Sequence, residues 1–362
     1  MLTKSMMTRT ARLPSPYLAR IGARSARMRA QLRKRNFETA KLNAPAAEPR
    51  VVPVTTVDGA TLRVLVYGPD LAPTVVLVHG WACSIEYWNP QLTAFSDDYR
   101  VVAYDQRGHG ESTLGTAIPS EHTLADDLAA VLNASLRPAE KAVLAGHSMG
   151  GLTIQAWAKH YPEQVGERAA AVLLANTATR DIRSGTDLMP VMNKPLSVGR
   201  RPVTFRGGPV RIPPVVHESL LFTPLPIPAG WATKQMFRHR ILTPEATADE
   251  VDFAIGIIRS CPPLARGRHA AAMADMDLSE GTANLTVPTS VLASAQDRLL
   301  PHRMSRPIVE ILRRTGQLAE FHLLPHGHLS NVEDTAAFNA VLHRIMLSAG
   351  HSRAGRTEAA AW

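Results

Sequence analysis

The stretch KAVLAGHSMGGLTIQAWAKHYP, Lys141 to Pro162, constrains this chain more than any other. A short apolar run of strand-like length gives way to a 3.6-residue period across Gly146-His147-Ser148-Met149-Gly150, with Gly151 following. A serine there can be read two ways. It can cap the helix in a glycine-rich turn. It can also be a nucleophile held on a strained turn, its flanking glycines letting strand and helix cross closely, which is the meaning of G-x-S-x-G between a strand and a helix. The order strand, turn, helix favours the second.

A serine hydroxyl is a poor nucleophile at neutral pH, so this reading requires a base and a group that orients the base. Both are expected later in the chain, in the order serine, acid, histidine, each on a loop after a strand. The strand-like TSVLASAQ ends in Asp297-Arg298-Leu299-Leu300-Pro301, and FHLLP ends in His326-Gly327-His328. Asp297 and His328 fall where the mechanism needs them. Taken alone, Asp297 serves equally well as a helix cap and His328 as a surface loop residue; their coincidence with Ser148 gives them weight. A tetrahedral intermediate also needs backbone donors. The loop after TVVLV carries His79-Gly80-Trp81, so the N–H groups of Trp81 and Met149 are the expected oxyanion donors.

Short apolar runs continue through the chain at Thr74 to Val78, Arg100 to Tyr104, Lys141 to Ala145, Ala169 to Leu174, Val287 to Ala293 and Leu318 to Leu324. Between them DDLAAVLNASL, GLTIQAWAKHY and AAFNAVLHRIML have the helical period. Such alternation predicts an α/β fold, a mostly parallel doubly wound sheet with helices on both faces. Two β-rich runs around Asp58-Gly59 predict a hairpin at its start. From Arg180 the rhythm stops for more than 100 residues, too long for an ordinary loop, which predicts an inserted helical lid. The expected organisation is a basic extension over 1–49, a core over 50–179 and 287–349, a lid over 180–286 and a disordered tail over 350–362.

The segments VLVHGW, VVAYDQRGHGES, LAGHSMGG, SAQDRLLP and PHGHLSNVEDTAAFN, in that order, closely resemble the α/β-hydrolase superfamily, in particular its lidded serine hydrolase branch with cofactor-free haloperoxidase-like perhydrolases, esterases and C–C bond hydrolases. The resemblance spans residues 50 to 180 and 285 to 348. It implies an acyl-enzyme mechanism without cofactor on Ser148, Asp297 and His328. Epoxide hydrolases and haloalkane dehalogenases of the branch place Asp at the elbow, and Ser148 argues against both. The usual GAGH before the histidine reads PHGH here; His328 is preferred over His326 because HLSNVED matches the family's helix entry. Some relatives carry the acid after the strand preceding the lid, where this chain has Asn176. The expected reaction is hydrolysis of a carboxylic ester with an apolar acyl or alcohol group. Thioesters, lactones, C–C bonds and perhydrolysis fit the same triad, and a non-catalytic ligand-binding scaffold is the rival.

The formal charge of +9 suggests nucleic acid until its distribution is followed. Residues 1–50 hold nine Arg and three Lys against two Glu, a net +10, which leaves the rest of the chain at −1. A folded surface that grips phosphates would not look like that. The leader spaces Leu18, Ile21, Met28, Leu32 and Phe37 among arginines as an amphipathic helix would, so it is read as a solvated basic arm or as a helix on an anionic membrane surface through residues 1–45. It lacks the apolar stretch of a secretory signal. Cys83 and Cys261 allow at most one bridge and frame no disulfide scaffold, so the expected location is cytoplasmic, peripheral to a membrane if the leader binds one.

Four further sets carry expectations of their own. Asp105, Arg107 and His109 of DQRGHGES are read as structural, since no step of acyl transfer needs them. Cys83 is read as a small buried apolar side chain rather than an oxidant sensor. His326 and His328 lack partners at metal-ligand spacing, so no metal site is expected. In the lid, Trp231, Phe237 and Phe253 either line an apolar substrate pocket or pack the lid onto the core.

Overall fold

The computed structural model describes residues 15–186, four two-residue strands between 197 and 209, residues 227–228, and residues 230–350. Apart from those four strands, the expected lid between 187 and 226 and the expected tail beyond Gly350 lie outside the described residues.

Eight strands form one sheet: β1 (Arg50–Thr55), β2 (Thr61–Tyr67), β3 (Thr74–Val78), β4 (Arg100–Tyr104), β5 (Ala142–His147), β6 (Ala169–Ala175), β7 (Thr289–Ser294) and β8 (Leu318–Leu324). Their spatial order is β1-β2-β4-β3-β5-β6-β7-β8. The hairpin at Gly59 (φ 81°) makes β1 and β2 antiparallel, β2 also runs antiparallel to β4, and every other pair is parallel. This is the α/β-hydrolase fold.

The near-continuous burial of β3 to β7 follows from the two-residue period of a strand covered on both faces. Val75, Leu77, Val101, Ala103, Val143 and Ala145 point into one apolar cluster; Val76, Val78, Val102, Tyr104, Leu144 and Val172 point into the other. The first face is covered by α2 (Asn89–Phe95) and α13 (Thr335–Ser348), the second by α3 (Glu121–Ser135) and α4 (Met149–His160). Helix α3 begins at Ser120, whose hydroxyl accepts from the Thr123 N–H while the Thr123 hydroxyl accepts from the Ser120 N–H, a reciprocal cap. After α5 (Pro162–Arg168), the insertion contributes α6 (Ile182–Gly185), α7 (Trp231–Arg240), α8 (Ala248–Ser260), α9 (Pro263–Met273) and α10 (Ser279–Ala283). Helices α11 (Arg306–Thr315) and α12 (Ser330–Glu333) complete the core.

The leader corrects the expectation of a solvated arm. Helix α1 (Ser15–Lys34) and the turn after it are built into the molecule. Leu32, Phe37 and Leu42 are buried, Leu32 against Gly256 of α8 and Phe37 edge-on to Phe253 at 5.6 Å. Arg29 Nη1 donates to the Ser260 carbonyl, Arg35 pairs with Asp252, and the Thr39 N–H donates to Asp249. On the core side Arg33 Nε donates to Glu86 at 2.6 Å and Lys41 Nζ donates to the Val332 carbonyl. One strap therefore ties helix α8 of the insertion to the sheet. Burying three large apolar side chains contributes about 1.5 to 3 kcal/mol each, and the hydrogen bonds and ion pairs to α8 and the core act in the same direction.

Candidate active site

Three parallel strands end at the site. At the end of β5 the backbone turns sharply at Ser148, with φ 53° and ψ −118°. A non-glycine residue in that conformation is costly and persists only where its surroundings hold it. Here the Ser148 N–H donates to the Ala175 carbonyl, and the Ser148 carbonyl accepts from Thr177 Oγ1 and from the Gly151 N–H. Two glycines make the crossing possible. A Cβ at Gly146 would lie 2.6 Å from the Gly150 carbonyl carbon, and one at Gly150 would overlap the Val78 carbonyl.

After β7, Asp297 divides its two oxygens. Oδ1 accepts from the Leu299 and Leu300 N–H groups at 2.9 and 2.8 Å, fixing the turn, and Oδ2 lies 2.7 Å from His328 Nδ1. The following helical turn has Pro301 at its N-cap and no side-chain cap, so Asp297 fixes the turn before it rather than capping a helix. His328 follows β8. Its N–H donates to the Ile241 carbonyl at 2.6 Å, immediately beyond α7, so the insertion touches this loop directly. His326 is engaged elsewhere, its Nε2 3.1 Å from Asp334 Oδ2. Ser148, Asp297 and His328 are all buried.

Two residues that the sequence reading left without a role grip the histidine loop. Asn176 (φ 46°) donates from Nδ2 to the carbonyls of His328 (2.8 Å) and Gly327 (3.2 Å) and to Ser294 Oγ (3.0 Å). His147 Nε2 donates to the same His328 carbonyl at 2.8 Å, with the two imidazole centroids 4.7 Å apart. The signal was available: both residues end strands flanking the elbow. Burial drives the His147 pKa well below its ordinary value, with the neighbouring His328 acting in the same direction, so His147 is a neutral donor.

The segment after β3 lies against the elbow. A Cβ on Gly80 would lie 2.9 Å from His147 Nδ1 and 3.2 Å from Ser148 Cβ, so this loop passes directly beside the elbow. The Trp81 indole donates to the Arg266 carbonyl of α9 at 2.8 Å. Met149 opens α4, where the first N–H groups of a helix have no intrahelical acceptor. Gln106 ties these loops together: its N–H donates to His79 Nε2, its amide to the His79 carbonyl, and Thr153 Oγ1 donates to its side-chain oxygen.

The DQRGHGES residues are structural by geometry. Arg107 is buried between Asp127, at 2.7 Å from both Nε and Nη2, and Asp58, whose carboxyl is held below the usual range by the hydrogen bond from Arg107. Asp105 accepts from the Ile85 and Glu111 N–H groups and pairs with Arg63. His109 Nδ1 and His269 Nε2 both donate to the Arg107 carbonyl. Cys83 and Cys261 are free and buried; burial pushes both thiols up, Cys261 to about 12.

The aromatic residues expected around substrate are placed otherwise. Phe253 packs on Phe37, Phe237 is buried in the same cluster, and Trp231 is 75% exposed. Of the two expectations, Phe237 and Phe253 follow the packing one, against the leader and the core, while Trp231 faces solvent. A cleft of about 340 Å³ lined by Ala171, Ser290, Glu320 and Arg344 lies at the opposite, N-terminal ends of the strands and belongs to no part of this site. Among the described residues no group of three or more His, Cys, Asp or Glu is arranged to hold a metal ion.

A family model described as the Alpha/beta hydrolase family matches residues 75–341. The chain belongs to that family. This alpha/beta hydrolase is 26% identical to 3-oxoadipate enol-lactonase 2 of Acinetobacter baylyi, across 80% of this chain and 95% of that one. It is 33% identical to the bifunctional esterase/perhydrolase DCH of Acinetobacter calcoaceticus over a shorter stretch, 38% of this chain and 49% of the relative. The solved esterase RhEst1 from Rhodococcus sp. ECU1013 superposes with a TM-score of 0.62 at 23% identity, covering 83% of this chain and 99% of its own. The family and these relatives make hydrolysis the activity of the alpha/beta hydrolase described here.

Proposed function

We propose that the protein is a serine hydrolase that cleaves a carboxylic ester through an acyl-enzyme. Ser148 Oγ attacks the ester carbonyl, His328 Nε2 takes the hydroxyl proton and returns it to the leaving alcohol, and Asp297 holds the imidazole by its Nδ1–H. Water activated by the same imidazole then releases the acid. The N–H groups of Trp81 and Met149 stabilise the tetrahedral oxyanion, each worth about 2.7 to 4 kcal/mol in a comparable hydrolase. The observation that carries the reading is the 2.7 Å bond between His328 Nδ1 and Asp297 Oδ2, at the sheet end where Ser148 occupies its strained turn.

The test is labelling of purified protein by a fluorophosphonate probe, with Ser148→Ala and His328→Ala as controls, followed by hydrolysis of p-nitrophenyl esters of increasing chain length. Labelling that disappears in Ser148→Ala, with kcat lowered at least about 10⁴-fold, is the expected result. Folded wild-type protein that neither labels nor turns over would instead favour a silent ligand-binding scaffold. Similarity to an enol-lactonase makes a lactone the second substrate class to assay, since ring opening uses the same attack and the same leaving oxygen.

A further inference from the structure

Helix α1 has two faces with different employment. The inward face carries Ser25, Leu32, Arg29 and Arg33, each buried or paired with the lid or the core. Arg20, Arg24, Arg27 and Lys34 are exposed, and none of them has an ion-pair partner among the described residues. At 100° per residue, positions i, i+4, i+7 and i+14 fall within about 80° of one another. Four unneutralised cations therefore form a ridge about 20 Å long at 1.5 Å rise per residue.

The ridge does not end alone. At its C-terminal end Arg35 pairs with Asp252, and the other oxygen of that carboxylate pairs with Lys234 of α7 at 2.6 Å. This shared carboxylate brings the N-terminal half of α7 to the same surface. There Trp231, the first residue of α7, is 75% exposed, unusual for a side chain of that size and polarity. Basic residues around an exposed tryptophan are the composition of a surface that lies on a bilayer: the cations meet anionic headgroups and the indole enters the interface. The far end of α7 reaches the site, where the Ile241 carbonyl accepts the His328 N–H.

We infer that the exposed ridge of α1, with Trp231 of α7, docks this protein on an anionic phospholipid surface. Docking is independent of the serine hydrolase reading; its consequence for that reading is that the ester is one presented by the bilayer, since the docked helix α7 leads to the catalytic histidine loop. A basic face alone would also hold nucleic acid, but it gives an exposed tryptophan nothing to enter.

The experiment uses the full chain and sedimentation with vesicles of phosphatidylcholine alone or of equal parts phosphatidylcholine and phosphatidylglycerol. Wild-type protein is expected to bind only the anionic vesicles, with binding lost as salt rises toward 1 M, where the screening length falls to about 3 Å. Each basic residue near an anionic surface is worth about fivefold in partition, so Arg20→Glu, Arg24→Glu, Arg27→Glu and Lys34→Glu together should weaken binding at least about 100-fold. Trp231→Ala should weaken it on its own and remove the blue shift of tryptophan emission on binding. These side chains touch nothing in the interior, so unchanged hydrolysis of a soluble p-nitrophenyl ester verifies folding of each variant. Ser148→Ala should bind vesicles as wild type does, and wild-type protein that docks but neither labels with fluorophosphonate nor hydrolyses ester would sink the hydrolase reading and keep this one. Absence of binding to anionic vesicles, binding indifferent to the four reversals, or equal binding to duplex DNA with no contribution from Trp231 would overturn the inference.

Discussion

Ser148, Asp297 and His328 were legible because each ends a strand at the same edge of the sheet, and strand ends can be found from a sequence by period and turn residues. Asn176 was not read in this way, although it also ends a strand. Its work is done by an amide that reaches His328, Gly327 and Ser294, residues more than 100 positions later, and no local pattern announces such a bond. Under the proposed mechanism Asn176 is a positioning residue: it holds the backbone carbonyl of His328, the proposed base, without touching substrate. Asn176→Ala should lower kcat about tenfold while leaving KM within about twofold, because the lost bonds orient the base rather than bind substrate. A purely structural role would change the amount of folded protein and leave the pH profile of kcat unmoved. A displaced imidazole moves the acid limb of that profile, so the pH dependence of the residual activity is the deciding measurement. An unmoved limb with reduced folded protein would assign Asn176 to stability alone.

Among the elements, the sheet and its helices followed from periodicity, with strand bounds differing by one or two residues, as at β5, expected over Lys141 to Ala145 and found at Ala142–His147. The leader helix was legible as a helix but its docking was not. Leu32, Phe37 and Leu42 are diluted by charge, and the partners that make Arg33 indispensable, Glu86 and Glu111, lie 53 and 78 positions away. Burial alone would raise the Glu86 carboxyl, but Arg63 and Arg33 outweigh it and hold it low. Asp105 beside it is raised by burial and by Glu86, so the cluster depends on the positive charge that the leader brings. Arg33→Ala should therefore destabilise the whole fold by about 1 to 3 kcal/mol, below the usual cost of breaking a buried pair because Arg63 remains and Arg33 is partly exposed. Urea unfolding measures it. In a double-mutant cycle Glu86→Gln should cost much less in the Arg33→Ala background than in wild type; additive costs would mean that the ion pair does not couple leader and core.

For the molecule as a whole, the unusual feature is a set of buried, neutral imidazoles around the loops that carry the site. His79 is lowered to about 4 by burial and His109 to about 3 by burial and by His79, while His147 and His269 are driven well below their ordinary values for the same reason. Their geometry is that of neutral rings. His79 Nε2 accepts the Gln106 N–H, and the nitrogens left over on His109, His147 and His269 are buried with no partner among the described residues. In the unfolded chain the same imidazoles take protons near pH 6.5. Below that pH the unfolded state binds more protons than the folded one, so stability is full above about 6.5 and falls as the pH drops toward the folded values. Each such ring costs about 1.4 kcal/mol per pH unit over that window. The melting temperature should fall steeply between pH 6.5 and 5, before most carboxylates begin to titrate. His269→Gln removes one of the rings and should flatten that slope by about one proton's worth, whatever it does to stability at pH 7. An equal slope in wild type and His269→Gln would mean that His269 is protonated in the folded protein, and the neutral cluster would have to be abandoned.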